Sequence, residues 1–376
     1  MSGSGILDDL LSISDTPKVT IVMPARRGEE TQDAIRLRGL VARAQGLLDR
    51  RGTPRPVVAE LTGTTHDLVV SAHPWQDATR AVAIFAAPGH QRLVRLPVTV
   101  DELVTVGDEF HVVGLVAPLD PTHCFVLTLT RGGAALWRAT RWELAPLELP
   151  DAPEALTDIT QYQDLERQLQ VHQMARGGSE TGTAGYHGHG VGEGRDVESV
   201  RAYLRLVDKA VIRATTGDAS PVLVVGPDTL PPLYRSVSSH PHLAARSVES
   251  HPDGIGNGQL HDHALGLLDE LVTARREALL GSFEAQWAAD KASADVAAVV
   301  LAATEGRLGS LLFDPERRVW GRVSRERFAV AITEEDEAGT EELVNRAVVE
   351  TLRHGGEAVP VTDVDMPSPI LGLYRY

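Results

Sequence analysis

Residues 186–211 read YHGHGVGEGRDVESVRAYLRLVDKAV, and the change of character halfway along this stretch decides the fold class. Its first half places glycine at 188, 190, 192 and 194 and holds no regular apolar spacing. In its second half Val197, Val200, Leu204, Val207 and Val211 recur three or four residues apart, the stripe of an amphipathic helix. Asp196 is its expected N-cap, and the pattern predicts a helix over residues 196–215. Downstream, PVLVVG (residues 221–226) is a short continuous apolar run and reads as a buried strand; PHLAARSVES (241–250) supplies another. Upstream, CFVLTLTRGGAALWRA (124–139) gives two β-rich runs around Arg131-Gly132-Gly133, a hairpin signal. Strands alternating with helices predict an α/β fold.

The same alternation extends to both ends. VTIVMP (19–24) reads as a strand, and residues 31–51 as a helix with Ile35, Leu37, Leu40, Val41, Ala44, Leu47 and Leu48 inward. VVAELTG (57–63), HDLVVSA (66–72), AVAIFAAPG (81–89) and RLVRLPV (92–98) then read as strand-like segments. FHVVGLVAPLD (110–120) closes the block, with Pro118 and Pro121 marking a boundary. After GIGNG (254–258) a long helix starts near Gln259, and a helix rich in Ala and Val ends near Thr304. Strands GSLLFD and WGRVS, a helix over 341–353, and strands EAVPV and ILGLYRY complete the chain. The expected architecture is three consecutive mixed α/β domains. They are residues 1–118, residues 119–285 with a Gly/His-rich loop at 173–195, and residues 286–376.

The 376 residues carry 36 Lys+Arg against 52 Asp+Glu, a net charge of −16 that argues against bulk, non-specific nucleic-acid binding. Only Lys18, Lys209 and Lys291 are lysines, so nearly every cation is an arginine. One cysteine, Cys124, excludes a disulfide framework and a cysteine zinc site, and fits a reducing compartment. MSGSGILDDLLSISD at the N-terminus has neither a basic nor an apolar signal region, and no apolar run is long enough to span a bilayer. The expectation is a soluble cytoplasmic protein with no membrane partner.

Signatures of several enzyme classes are missing: no G-x-x-x-x-G-K-[ST], no G-x-S-x-G and no H-E-x-x-H. Histidines cluster as His187/His189, His240/His242 and His261/His263, but a metal site needs three or four converging ligands. Neither a metal nor another cofactor is expected. Two features carry functional readings. Residues 177–194 hold eight glycines ahead of a helix. Such a loop lets backbone approach a ligand closely and leads to N–H groups that favour anions, or it is simply a flexible surface loop. Arg36, Arg43 and Arg50 repeat every seven residues on one helix face, flanked by Arg26, Arg27, Arg51 and Arg55. That stripe either follows a phosphate backbone or is a solvated face balanced by Glu29, Glu30, Asp33 and Asp49.

The order of these segments resembles the bacterial relatives of the archaeo-eukaryotic class I peptide-chain release factor and of the ribosome-rescue protein Pelota, over about residues 15–376. The carrying stretches are VTIVMP, AVAIFAAPG and RLPVTVDELVTVGDEFHVVGL, then CFVLTLTRGGAALWRAT, YHGHGVGEGRDVESVRAYLRLVDKAV and PVLVVGPDTLPPLYRSVSSHPHL, then LGSLLFD, LRHGGEAVPV and ILGLYRY. The last three resemble the release factor's C-terminal domain, a kink-turn-RNA-binding ribosomal-protein-like α/β/α sandwich. The resemblance implies that the loop before Asp196 stands where the release factor carries its GGQ loop, which enters the peptidyl transferase centre. This chain departs from that pattern: Arg176-Gly177-Gly178 is followed by Ser179, and no glutamine lies between 176 and 195. The resemblance therefore implies a ribosome-associated factor of the A site, acting in hibernation, rescue or quality control without GGQ-dependent hydrolysis. In that reading no catalytic residue is assigned. Arg176, Gly177, Gly178, His187, Gly188, His189, Gly190, Gly192, Gly194 and Arg195 contact rRNA, Arg36, Arg43 and Arg50 form a second RNA face, and an elongation-factor-like GTPase is a partner. Alternatives are peptide release by a diverged loop, or a stress-related interaction protein unconnected with ribosomes.

Overall fold

Val19, Ile21 and Met23 alternate with Lys18, Thr20 and Val22 along strand β1 (Lys18–Pro24), so its two faces differ in chemistry. The computed structural model describes residues 3–25, 30–72, 80–96, 98–130, 132–153, 155, 190–227, 229–324, 328–334 and 340–375. They fall into two units, Met1–Pro121 with Thr273–Tyr376, and Thr122–Val272. Both mix helices with sheets.

The first unit opens with helix α1 (Gly3–Ser12), β1, α2 (Glu30–Arg50) and α3 (Arg55–Ala72). Strands β2 (Ala81–Ala87), β3 (His90–Leu96) and β4 (Leu103–Gly107) and the short helix α4 (Val113–Val116) follow. The strands form an antiparallel sheet in the order β3-β2-β1-β4, with Ile21 opposite Ile84 and Val104. Val19, Ile21 and Met23 meet Leu37, Leu40 and Leu48 of α2 and Val58 and Leu61 of α3 in one core.

Helix α3 corrects the expectation of two strands over VVAELTG and HDLVVSA. Valine favours strands, but burial decides here: Val58 and Leu61 are buried while Ala59 and Glu60 are exposed, a spacing of three rather than two. Pro54 and Pro56 stand at the start, where a missing N–H breaks nothing, and the Pro54 carbonyl accepts from Val57 and Val58 at 2.9 and 3.1 Å.

The second unit contains a five-stranded sheet, β7-β6-β5-β8-β9. β5 (Cys124–Thr130) and β6 (Gly133–Ala139) form the hairpin, and β7 (Leu144–Leu147) extends it. Helix α5 (Gly190–Ala214) precedes β8 (Val222–Gly226), then α6 (Leu230–Val237), β9 (Leu243–Glu249) and α7 (Asn257–Trp287). β8 runs parallel to both β5 and β9. Period-two alternation sorts the central strands. Phe125, Leu127, Leu129, Val222 and Val224 pack with α5 through Val200, Leu204, Val207 and Val211. Cys124, Val126, Leu223 and Val225 pack with α7 through Leu260, Ala264 and Leu268. The sheet is covered on both faces, which is why β8 reads as a continuous apolar run.

Returning to the first unit, β10 (Ala292–Ser293) leads to α8 (Val296–Thr304), capped by the Asp295 carboxylate accepting from Ala298 N at 2.8 Å. β11 (Leu308–Phe313), β12 (Trp320–Ser324), β13 (Ala329–Thr333) and β14 (Glu341–Glu342) precede α9 (Leu343–Arg353). β15 (Glu357–Pro360) and β16 (Ile370–Tyr374) close the chain. The sheets are β10-β16-β11-β15 and β13-β12-β14. α9 ends at Arg353, and just past its His354 cap Gly355 takes a φ of +71°, the left-handed conformation that suits glycine after a helix.

Two segments far apart in sequence are joined within this unit by buried polar contacts. Asn345 donates from Nδ2 to the Phe110 carbonyl (2.9 Å) and accepts at Oδ1 from Val112 N (2.8 Å). Beside it, Glu109 accepts from Lys18 Nζ at 2.9 Å and from both terminal nitrogens of Arg353 at 3.0 and 2.8 Å. Lys18 is 2% exposed and also lies over the Phe110 ring at 5.5 Å. Burial raises the Glu109 carboxyl, but hydrogen bonds from Arg353 and Lys18 outweigh it and hold the group below its ordinary value. Glu109→Gln leaves a buried ammonium without its counter-charge and should destabilise the chain by about 3–5 kcal/mol in urea unfolding. Because the folded value is depressed, the contribution is present above the ordinary value of 4.5 and fades as pH falls below it. A loss below about 1 kcal/mol at pH 7 would show that Lys18 does not depend on this carboxylate.

Candidate functional site

The glycine-rich passage enters α5. The helix begins at Gly190 rather than at Asp196, so Gly190, Gly192, Gly194 and Arg195 take helical backbone instead of closing a loop. Glycine can adopt helical dihedrals, at an entropic cost of about 1 kcal/mol each relative to alanine, and no proline interrupts the turn. Arg176, Gly177, Gly178, His187, Gly188 and His189 lie outside the described residues.

Behind α5 sits a clamp that the sequence pattern does not announce. Asp208 is buried on α5 and accepts four hydrogen bonds. Tyr234 Oη (2.9 Å) and Ser238 Oγ (2.5 Å) donate to Oδ1, and Ser239 N (2.8 Å) and Ser239 Oγ (3.1 Å) donate to Oδ2. Burial, then the neighbouring Asp208 charge, raises the Tyr234 phenol well above its ordinary value, so it stays a donor. A carboxylate with four donors has no lone pair to spare for proton transfer. Its work is to hold α5 to the turn after α6.

His240, His261 and His123 of this unit are similarly occupied. His240 Nδ1 accepts from His242 N at 3.1 Å, which leaves the proton on Nε2 to be donated to Thr215 Oγ1 at 2.9 Å. Burial lowers the His240 value, favouring this neutral form. His261 Nε2 donates to the Thr140 carbonyl at 2.8 Å. His123 meets Asp218 Oδ2 (2.7 Å) and Ser220 Oγ (3.1 Å) through the same nitrogen, Nε2. A Ser-His-Asp relay needs the two partners on opposite ring nitrogens, so this trio is not one. Burial pushes the Cys124 thiol up to about 12, which removes it as a nucleophile at neutral pH. Among the described residues no group of three or more His, Cys, Asp or Glu is placed to hold a metal.

The arginine stripe of α2 lies in the first unit. Arg36 is tied to Asp33 at 2.6 Å and to Glu102 at 2.8 Å. Arg43 and Arg50 are exposed and line a groove of about 1110 Å³. Arg318 and Trp320 line the same groove, and sequence reading missed them because they stand some 270 residues from α2. His111 also lines it, donating its backbone N–H to Thr20 Oγ1 at 2.9 Å. Burial, reinforced by the Arg318 charge, lowers the His111 imidazole from 6.5 to about 4. The unfolded chain therefore takes up this proton first, and stability should fall as pH drops from 6.5 toward 4. His111→Gln should flatten that part of the curve when urea midpoints are compared at pH 7.5 and 5. An unaltered slope would show that His111 is neutral for other reasons.

Comparisons with known proteins bear on the central segment. Residues 123–307 match the family model described as Bacterial archaeo-eukaryotic release factor family 3. No curated protein matches the chain. Solved structures aligned to it include the archaeal translation termination factor aRF1, at 14% identity, 100% of this chain, 99% of that chain and a TM-score of 0.26. Archaeoglobus fulgidus Pelota aligns at 13% identity over 79% of each chain, TM-score 0.35. Ribosome-bound archaeal Pelota, in a structure with ABCE1, aligns at 11% identity over 77% of this chain and 72% of that chain, TM-score 0.40. Scores this low carry no argument.

Proposed function

Starting from the chain's standing as a bacterial homologue of the archaeo-eukaryotic release factor and Pelota family, with the match at residues 123–307, we propose that it is a translation factor that binds the ribosomal A site without hydrolysing peptidyl-tRNA. The observation that carries this reading is the family match around a loop that has no glutamine between 176 and 195. In the resembled factors that loop delivers a glutamine that positions the attacking water. Losing one positioned donor of this kind costs on the order of 10²–10³ in rate, a loss that an occupancy factor tolerates and a hydrolase does not. Residues 176–195 are then the segment that meets rRNA of the catalytic centre, borne by the α5 that Asp208 clamps.

Arg43 and Arg50 form the second RNA contact, and Arg36, already paired with Asp33 and Glu102, serves the fold instead. This narrows the stripe expected from the seven-residue repeat. Residues 286–376 are the docking side for an elongation-factor-like GTPase, in a functional division at 1–118, 119–285 and 286–376. The protein acts in hibernation, rescue or quality control, in the cytoplasm where its ribosomes are.

Purified protein should co-sediment with vacant and stalled 70S ribosomes yet release no nascent peptide from the stalled ones. Release that vanishes in the Gly190→Ala, Gly192→Ala double variant would replace this reading with hydrolysis by a diverged loop. Failure to sediment at low salt would end the ribosomal reading. Arg43→Gln with Arg50→Gln should weaken sedimentation and flatten the salt dependence by a slope of about 1.4, at about 0.7 per lost phosphate contact. An unchanged slope would return α2 to a solvated face.

A further inference from the structure

Among the described residues of the first unit, three arginines of the groove beside α2 have no hydrogen-bonded or ion-paired partner. Its carboxylates are engaged: Glu102 with Arg36 (2.8 Å), Asp108 with Arg51 (2.7 Å), and Glu109 with Lys18 and Arg353. Glu341 pairs with Arg346 at 3.4 Å, and Glu342 accepts from Val344 N and Asn345 N as the cap of α9. Arg43, Arg50 and Arg318 make no hydrogen bond or ion pair among the described residues. Arg43 and Arg50 therefore stand without an ion-pair partner among the described residues on one wall, and Arg318 on the other acts on Glu342 and His111 through its charge alone. Trp320 lies in the same groove, and on the α2 wall a Cβ added at Gly39 would meet nothing within 4 Å, so that side is open.

We infer that this groove binds single-stranded RNA, with Arg43, Arg50 and Arg318 on successive phosphates and Trp320 stacked on an unpaired base. Seven helical residues separate Arg43 from Arg50 by about 10.5 Å, too far for one phosphate and suited to a chain of them. Guanidinium forks match phosphate oxygens in pairs, and an aromatic ring beside a cationic track is how unpaired strands are held without base reading. A duplex keeps its bases stacked on one another and offers nothing to Trp320. The choice of RNA over DNA rests on the ribosomal reading above; the groove chemistry itself does not.

The full chain, titrated by fluorescence anisotropy against a labelled ten-nucleotide oligouridylate at 50 and 150 mM salt, should bind, and bind a ten-base-pair RNA duplex more weakly. Trp320→Leu should raise the Kd about 5–160-fold, the range of one lost stacking contact. Arg318→Gln, an exposed change that leaves the fold intact, should raise it severalfold and flatten the salt slope by about 0.7. Arg38→Gln, exposed on the same helix but outside the groove, should change nothing. Equal losses from Arg38→Gln and Arg318→Gln, or a duplex bound as tightly as the single strand, would overturn the inference. No oligonucleotide binding by a protein that still sediments with ribosomes would overturn the groove and spare the ribosomal reading. Arg318-dependent oligonucleotide binding without sedimentation would do the reverse.

Discussion

A lysine ammonium that is 2% exposed has to be neutralised, and Glu109 does so while also gripping Arg353 of the last helix. The first strand of the chain is thereby held to a partner 91 residues on, and that partner to one 244 residues further. Buried pairs of this kind contribute little net stability over apolar packing, but they are costly to break one partner at a time. Their effect is selection: any arrangement of Met1–Pro121 against Thr273–Tyr376 that separates Lys18, Glu109 and Arg353 strands a charge out of water. Asn345 adds direction, because its amide satisfies one backbone acceptor and one backbone donor in a single orientation. The α2 groove exists because of this fixing. One wall belongs to the early helix and the other to the approach to β12, and neither alone makes a concave surface.

The second unit reaches rigidity by a different route. Its central strands are apolar on both faces, and α5 and α7 each bury one of them. Asp208 then stops α5 from sliding, because its four donors come from α6 and the turn after it. The glycines at 190, 192 and 194 weaken the first turns of α5.

Much of this was legible in the residues. Two β-rich runs around Arg131-Gly132-Gly133 marked β5 and β6, and a continuous apolar run marked the doubly covered β8. Spacing of three and four marked α2 and α5. Val57 and Val58 misled because valine's strand preference is weaker than the burial that three-residue spacing imposes once α2 and β1 supply a surface. At the candidate site the limit was distance along the chain. Asp33 lies three residues from Arg36 and its pairing is readable from helix geometry, whereas Glu102, which completes the neutralisation, is not. Arg318 and Trp320 carry no local pattern at all. Only their meeting with Arg43 and Arg50 in one groove gives them meaning.

A net charge of −16 and a polyanion-binding groove are compatible once screening is counted. At physiological ionic strength the Debye length is about 8 Å, so carboxylates farther away than that contribute little to the potential at a given guanidinium. What governs a phosphate's approach is the pairing within the groove, where Glu102, Asp108, Glu341 and Glu109 are taken by Arg36, Arg51, Arg346 and the Lys18–Arg353 pair, and Glu342 caps α9. The acidity elsewhere then acts as exclusion. Net acidity disfavours bulk phosphate binding, so contact is favoured where arginines cluster without an ion-pair partner among the described residues. A uniformly basic protein would gain affinity from the whole of an RNA surface and lose the capacity to register on it. Here the contacts are few, and their positions are set by the same Glu109 cluster that fixes the groove walls.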